Sequence, residues 1–331
     1  MIAFGGTDDI RASARACAAR GEWSAVRSLL ASEPASEREP EVLLLAAEAD
    51  LRLGMPREAA ERLHLGWPAL VRSGDGAALR RANNLLGAAA FELGNLDESH
   101  AAFSRALELA DADGDHLLVA RATNNLGAIA NLRGQREAAL AHFQLAIPAY
   151  QQLGHAVGLA ESCHNLAIAY RDARDLDAAD EYEQRAIEFA REGGSAHLEV
   201  MARAGRAELS LLRGDAAMAE VRALAAAAEC RVLNDRIGEA DAIRLAGESR
   251  LALGDADGAR AALDEAVEIA TQHGAALVRG EALRARARVH LARGARDAAL
   301  ADAQSALEVF EQLGAGDEVA SMAELLQAIV S

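Results

Sequence analysis

The chain has 331 residues, with 51 acidic against 34 basic side chains, a formal charge of −17 and 3% aromatic residues. All 34 basic residues are Arg, none Lys, and 82 residues are Ala. A chain of this length can bury a substantial core, but with so few large side chains it is built by close stacking of helices rather than as one compact globule. The acidic balance argues against nucleic-acid binding, which leaves a basic footprint. No apolar run of about 18 residues occurs, and residues 1–10 lack a basic start, so neither a membrane span nor a secretion signal is expected. Three cysteines without an obvious pairing, Cys17, Cys163 and Cys230, fit a reducing cytoplasm.

From the N-terminus, residues 8–33 predict a short atypical hairpin. Gly21 precedes Gly54 by 33 residues, and Pro34 and Pro40 interrupt the connection. Trp23 and Trp67, in these irregular segments, read as core plugs rather than a ligand cage. From 38 to 313 the period becomes regular and predicts about seven hairpins of forty residues. One comb of glycines falls at Gly54, Gly94, Gly134, Gly214, Gly254 and Gly294, with Arg174 in its gap. A second falls at Gly74, Gly114, Gly154, Gly194, Gly274 and Gly314, with Asn234 in its gap. The combs are offset by twenty residues. A left-handed residue ends a helix, and Gly adopts that conformation freely, so the chain reverses every twenty residues around helices about 25 Å long. Asp75, Asp115, Asp175, Ser195, Asp215, Asp235 and Asp255 follow the turns as helix caps.

Between the turns, small residues recur in register: Ala139, Ala179, Ala219, Ala259 and Ala299, and Ala106, Ala146, Ala186, Ala226, Ala266 and Ala306. They mark the seam of each hairpin, with Phe103, Phe143 and Leu263 as larger knobs between them. Residues 317–330 form a lone amphipathic helix that caps the last repeat. The expected fold class is all-α: a solenoid of antiparallel helix hairpins.

Gly127 and Gly134, followed by Ala139, Phe143 and Ala146, resemble the tetratricopeptide-repeat signature. Asn125-Leu126-Gly127 is similar to the variant with forty-residue repeats, found in kinesin light chains, Rap-type regulators and the maltose-regulon activator. Arg206 and Arg286 depart from the pattern, standing where Leu86, Leu126 and Leu166 stand earlier, as does Arg174 at a turn. The resemblance implies an interaction fold wound as a right-handed superhelical solenoid, whose first, or A, helices line a concave surface and whose second, or B, helices form the outer one.

Six A helices, 75–93 and every forty residues to 275–293, hold 16 Arg and 12 acids; the matching B helices, 95–113 to 295–313, hold 8 Arg and 25 acids. An acidic shell around a neutral-to-basic groove is the expected arrangement, and it would draw an anionic ligand inward. Asn84, Asn124, Asn125, Asn131 and Asn165 lie on A helices beside Arg81, Arg121, His164 and Arg171. Asn costs a helix about 0.5 kcal/mol against Ala, so its recurrence calls for a reason. A carboxamide both donates and accepts, and can grip the peptide bonds of an extended chain without reading its sequence. The resemblance implies that use at Asn125 and Asn165. The alternative is a ladder of Asn bonding neighbouring helices. Arg244, Arg284 and Arg288, with Arg206 and Arg286, could hold an acidic partner segment or tie repeats together.

No phosphate loop is possible without Lys, and no strands precede a dinucleotide fingerprint. Glu161 and His164 lack the second copy that a metal-bridging motif needs. Cys163 and His164 are neighbours on different sides of a helix rather than a nucleophile and its base. The expected function is a non-catalytic adaptor binding an extended, acidic peptide or partner segment, with no cofactor, metal, nucleic acid or membrane. The alternative is a peptide- or ligand-responsive sensor whose superhelix changes pitch.

Overall fold

A computed structural model describes residues 7–31 and 39–330; Pro34 lies outside them. The described residues contain seventeen helices and no strands, and they form a solenoid of antiparallel helix hairpins. The chain divides into two compact units, 1–122 and 123–331, the division falling inside α7 (His116–Leu132).

The first unit holds α1 (Thr7–Ala19), α2 (Trp23–Leu29), α3 (Pro40–Arg52), α4 (Pro56–Ser73), α5 (Gly76–Glu92) and α6 (Leu96–Asp113). Pro40 occupies the first turn of α3, where its missing N–H costs nothing. Leu43, Leu63, Leu70, Leu85 and Leu86 form one core cluster, and half-buried Trp67 packs against it. Trp23 packs against a second cluster around Ala14, Val26 and Leu30.

The second unit holds the rest of α7, then α8 (Arg136–Gln152), α9 (Ala156–Asp172), α10 (Leu176–Glu192), α11 (Ala196–Leu212), α12 (Ala216–Val232), α13 (Arg236–Ala252), α14 (Ala256–Gln272), α15 (Ala276–Ala292), α16 (Arg296–Leu313) and α17 (Gly316–Val330). The odd-numbered A helices α9, α11, α13 and α15 pack on one another in succession, and each B helix fits between the A helices before and after it.

Turn chemistry sets this spacing. The glycines of both combs have φ between +61° and +86°, and Arg174 (φ +64°) and Asn234 (φ +55°) take the same left-handed conformation. The Asp175 N–H donates to the Tyr170 carbonyl at 3.0 Å, the bond that ends a helix in this geometry. All seven expected caps form: Asp75, Asp115, Asp175, Asp215, Asp235 and Asp255 accept a backbone N–H at 2.9–3.1 Å, and Ser195 does so at 3.5 Å. His155 caps α9 as well, its Nδ1 accepting from the Gly158 N–H at 2.9 Å.

The hairpin seam depends on missing side chains. A methyl group on Gly127 would stand 2.6 Å from the Phe143 ring, and one on Gly87 would stand 2.7 Å from Phe103. These glycines therefore make the slots that the buried Phe rings fill. In the second unit, α17 lays Met322 and Ile329 on the last hairpin's core, and Leu132 of α7 packs against the same cluster. Arg136 donates to Asp317 at 3.1 Å, so the unit's last helix meets its first turn.

Candidate functional site

Successive A helices of the second unit are joined by a polar ladder. Asn124 is fully buried: its Nδ2 donates to Glu161 at 3.4 Å, and its Oδ1 accepts from Ser162 Oγ at 2.8 Å and Asn165 Nδ2 at 3.4 Å. Asn131 donates to Asp172 at 3.1 Å. Arg171 pairs with Glu208 and, at 2.8 Å, with Asp172. Arg244 reaches Asp241 and Glu248 at 2.7 Å on its own helix and Glu281 at 3.5 Å on the next. Arg284 pairs with Glu318 of α17 and lies 5.5 Å over the Phe310 ring.

Burial disfavours every charge in this ladder, and the partners answer it. Burial alone would raise Glu208, yet Arg171 and Arg244 hold it below the ordinary carboxylate value. Glu281 is pushed up by burial against the opposing pull of Arg244. Burial lowers Arg284. Burial works against the charge of Arg171 on α9, but Glu208 and Asp172 outweigh it and Glu281 on α15 adds to their pull, within the interior that the successive A helices share.

This interior is not the basic wall expected from helix sums. Arg171, Arg244 and Arg284 meet Glu208, Asp241, Glu248, Glu281 and Glu318, so acids outnumber arginines. The arginines that made the A helices net positive turn toward B helices instead. Arg206 binds Asp180 at 2.7 Å and Gln184 at 2.8 Å; Arg286 binds Asp302 at 2.7 Å and Asp264 at 2.9 Å; Arg250 binds Glu220 at 2.8 Å; and Arg213 binds Asp177 at 2.8 Å. An arginine stem spans either side of a helix, so a helix's net charge does not fix the charge of one face.

His164 belongs to a separate pair. Buried on α9, its Nδ1 lies 2.9 Å from Glu183 of α10, which is buried too. Burial works against the imidazolium, but the Glu183 carboxylate outweighs it and raises His164 above its ordinary value; burial also raises Glu183. Glu183 stands forty residues after Phe143, in the same knob position, and Gly205 leaves room for its carboxylate. Cys163 beside His164 is pushed by burial up to about 11, which leaves it a thiol at neutral pH.

The remaining candidates keep bonding capacity. Asn125, half-buried on α7, makes no side-chain hydrogen bond among the described residues, and Asn165 spends only one Nδ2 donor, at 3.4 Å. Arg288 is exposed and has no ion pair among the described residues. In the first unit, Arg81 pairs with Glu48, while half-buried Arg121 has no partner among the described residues. Asn84 is 7% exposed, and its Oδ1 has no donor among the described residues.

Sequence reasoning missed the acidic half of the ladder. Its signal was a spacing of 37 residues from Asn124 to Glu161, Arg171 to Glu208 and Arg244 to Glu281. No helix among the described residues is long and apolar enough to cross a membrane. Among the described residues, no group of three or more His, Cys, Asp or Glu could hold a metal ion.

Comparison with known proteins agrees with this architecture. Tetratricopeptide-repeat family models match residues 79–152 and 159–192. These matches, with the helical-repeat fold of its structural neighbours, support a repeat protein of the tetratricopeptide type. Among solved structures it is similar to a Rap protein complexed with competence and sporulation factor, at 15% identity over 98% of each chain with a TM-score of 0.66. It is similar also to the apo form of RapI, at 12% identity over 83% of this chain and 98% of that one with a TM-score of 0.62. The Cut9–Hcn1 hetero-tetramer of the APC/C matches at 14% identity over 98% of this chain and 56% of that one, with a TM-score of 0.63. At these identities the likeness is one of fold. No curated protein matches the chain.

Proposed function

We propose that this chain is a non-catalytic protein-interaction scaffold whose A helices hold an extended peptide segment by its backbone. The observation that carries the reading is the pair Asn125 and Asn165, forty residues apart on consecutive A helices, half-buried and with bonding capacity unspent. A primary amide satisfies both the N–H and the C=O of a passing peptide unit. Asn84, with its buried and unpaired Oδ1, supports the same use in the first unit. The expected acidic character narrows to Arg121 and Arg288, which have no ion pair among the described residues. Arg288 suits a carboxylate, whereas the acid-rich network of α9 to α15 favours neutral or cationic side chains.

The test is to pan a random displayed peptide library against the full chain and measure the enriched peptides on Asn125→Ala/Asn165→Ala. Binding weakens by at least about tenfold, or 1.4 kcal/mol, with unchanged melting. A stable double variant that binds as before removes the asparagines from the site. The sensor reading is favoured by the return contact of α17, held at its rim by the exposed Arg136–Asp317 pair. Scattering of the same complexes separates the two: an unchanged profile means a scaffold, and a contraction means a sensor.

A further inference from the structure

Helix α12 carries a different outer face from its neighbours. Met218, Val221, Leu224, Ala225, Ala228 and Val232 are exposed along it, at the three- and four-residue spacing that makes one stripe. Val232 is 82% exposed, Val221 65%, Met218 44% and Leu224 43%. A single exposed aliphatic residue needs no explanation, but four large ones on one helix do.

Half of the equivalent positions on the helices to either side are acidic and exposed, Glu181, Glu188 and Glu192 on α10 and Asp264, Glu265 and Glu268 on α14, and the one basic residue among the rest is Arg185. Both helices are true neighbours. Ile187 of α10 and Ala225 of α12 line one cleft of about 290 Å³. Ala226 and Cys230 of α12 share a core with Ala266 and Ile269 of α14. An apolar stripe thus runs between two acidic rows. Four arginines line the cleft, and three of them are spent on acids: Arg191 binds Glu199 at 2.8 Å, Arg203 binds Glu229 at 2.8 Å and Arg206 binds Asp180, while Arg222 donates to Ser210 Oγ at 2.6 Å.

We propose that the α12 face is a docking surface for a basic amphipathic helix of another protein. Its apolar side chains would cover Val221, Leu224 and Ala228, and Lys or Arg on its flanks would meet Glu181, Glu188 and Glu192 on one side and Glu268 on the other, where Asp264 and Glu265 already face Arg286 and Arg231. Charge complementarity selects this occupant. A second copy paired about a two-fold axis would lay acidic row against acidic row, and an anionic membrane or nucleic acid would meet the same repulsion. The site is separate from the A-helix asparagines and does not depend on them.

The probe is a fluorescein-labelled synthetic helix with Leu along one face and Lys on both flanks, with a Glu-for-Lys peptide as control, followed by anisotropy against the full chain. The Lys peptide binds, and the Glu peptide binds at least about tenfold more weakly. Val221→Glu/Ala228→Glu, which copies the acids of α10 at exposed positions, weakens the Lys peptide by at least about tenfold although the protein becomes more negative. Asn125→Ala/Asn165→Ala leaves this binding unchanged. If the Glu-substituted protein binds the Lys peptide as well as the wild type or better, the attraction is to net charge alone and the proposal is overturned. Equal binding of both peptides also overturns it. So does a wild-type dimer in sedimentation that Val221→Glu/Ala228→Glu disperses, which would assign the stripe to a second copy.

Discussion

The α7–α8 and α9–α10 hairpins place different chemistry in the same slot. In the first, Phe143 fills a gap opened by Gly127, and the three atoms nearest that gap are all carbons of its ring. In the second, forty residues on, the slot holds Glu183 bonded to His164, and the accommodating glycine is Gly205 on the following A helix. The backbone period is indifferent to the exchange: both hairpins keep seventeen-residue helices and left-handed turns. A repeat fold thus fixes where a side chain goes without fixing what holds it there. An apolar knob is stabilised by area removed from water at every pH, whereas a buried ion pair depends on proton count.

The sharpest break of this comparison is Phe143→Ala, which leaves a cavity facing Gly127 and costs about 4 kcal/mol, read as a lower urea midpoint. Gly127→Ala sharpens it through a change of sign. In the wild type the added methyl collides with the Phe143 ring and destabilises. In the Phe143→Ala background it meets space and stabilises by about 1 kcal/mol, because Ala favours helix over Gly. If the methyl acts alike in both backgrounds, the slot is not what Gly127 provides.

Glu183→Ala comes next, at about 3 kcal/mol, because it leaves buried His164 without a partner. Here pH separates the hairpins. His164 and Glu183 are both raised in the folded chain, so the fold binds more protons than the unfolded chain. The His164 contribution is present in full below its unfolded value near 6.5 and is lost as pH rises through the raised folded value. NMR titration should put the His164 midpoint above about 6.5 in the wild type. In Glu183→Gln it falls below that value, since burial and Arg171 then outweigh the remaining pull of Asp241. A midpoint that does not move would show that the carboxylate is not what raises it.

How far the sequence could be read follows from the same physics. Turn positions were legible because φ > 0 is a backbone demand that glycine meets at regular intervals, and the caps were legible because Asp must stand beside the turn. The Phe knobs were legible because they recur in register, whereas the glycine slots that receive them emerged only from the packing. What stayed hidden was direction. Arg206 and Arg286 lie on A helices yet serve B-helix acids, and Arg244 serves its own helix and the next. Asn124 and Asn125 are adjacent in sequence, but one is consumed by the ladder and the other is not. Composition sums a helix over all its faces, and long or amide side chains choose among partners that only packing brings near.

The smallest expected effect tests the turns themselves, through Arg174→Gly and Asn234→Gly. Arg174 interrupts a comb of glycines, so its place could have been a turn of another kind. Instead it takes φ +64°, with the Asp175 N–H bonded to Tyr170 as at the glycine turns. A residue with a Cβ pays about 1 kcal/mol or more for that conformation, while Asn pays less because its short amide tolerates it. Arg174 is exposed, so removing its side chain forfeits little packing. Glycine also gains freedom in the unfolded chain, which offsets part of the relief. The balance predicts that Arg174→Gly raises stability by about 0.5 kcal/mol and Asn234→Gly by less, both read as shifts in the urea midpoint. Destabilisation by Arg174→Gly would mean that this arginine supports the turn rather than merely tolerating it, and the α9–α10 hairpin would then differ from α7–α8 at its corner as well as in its core.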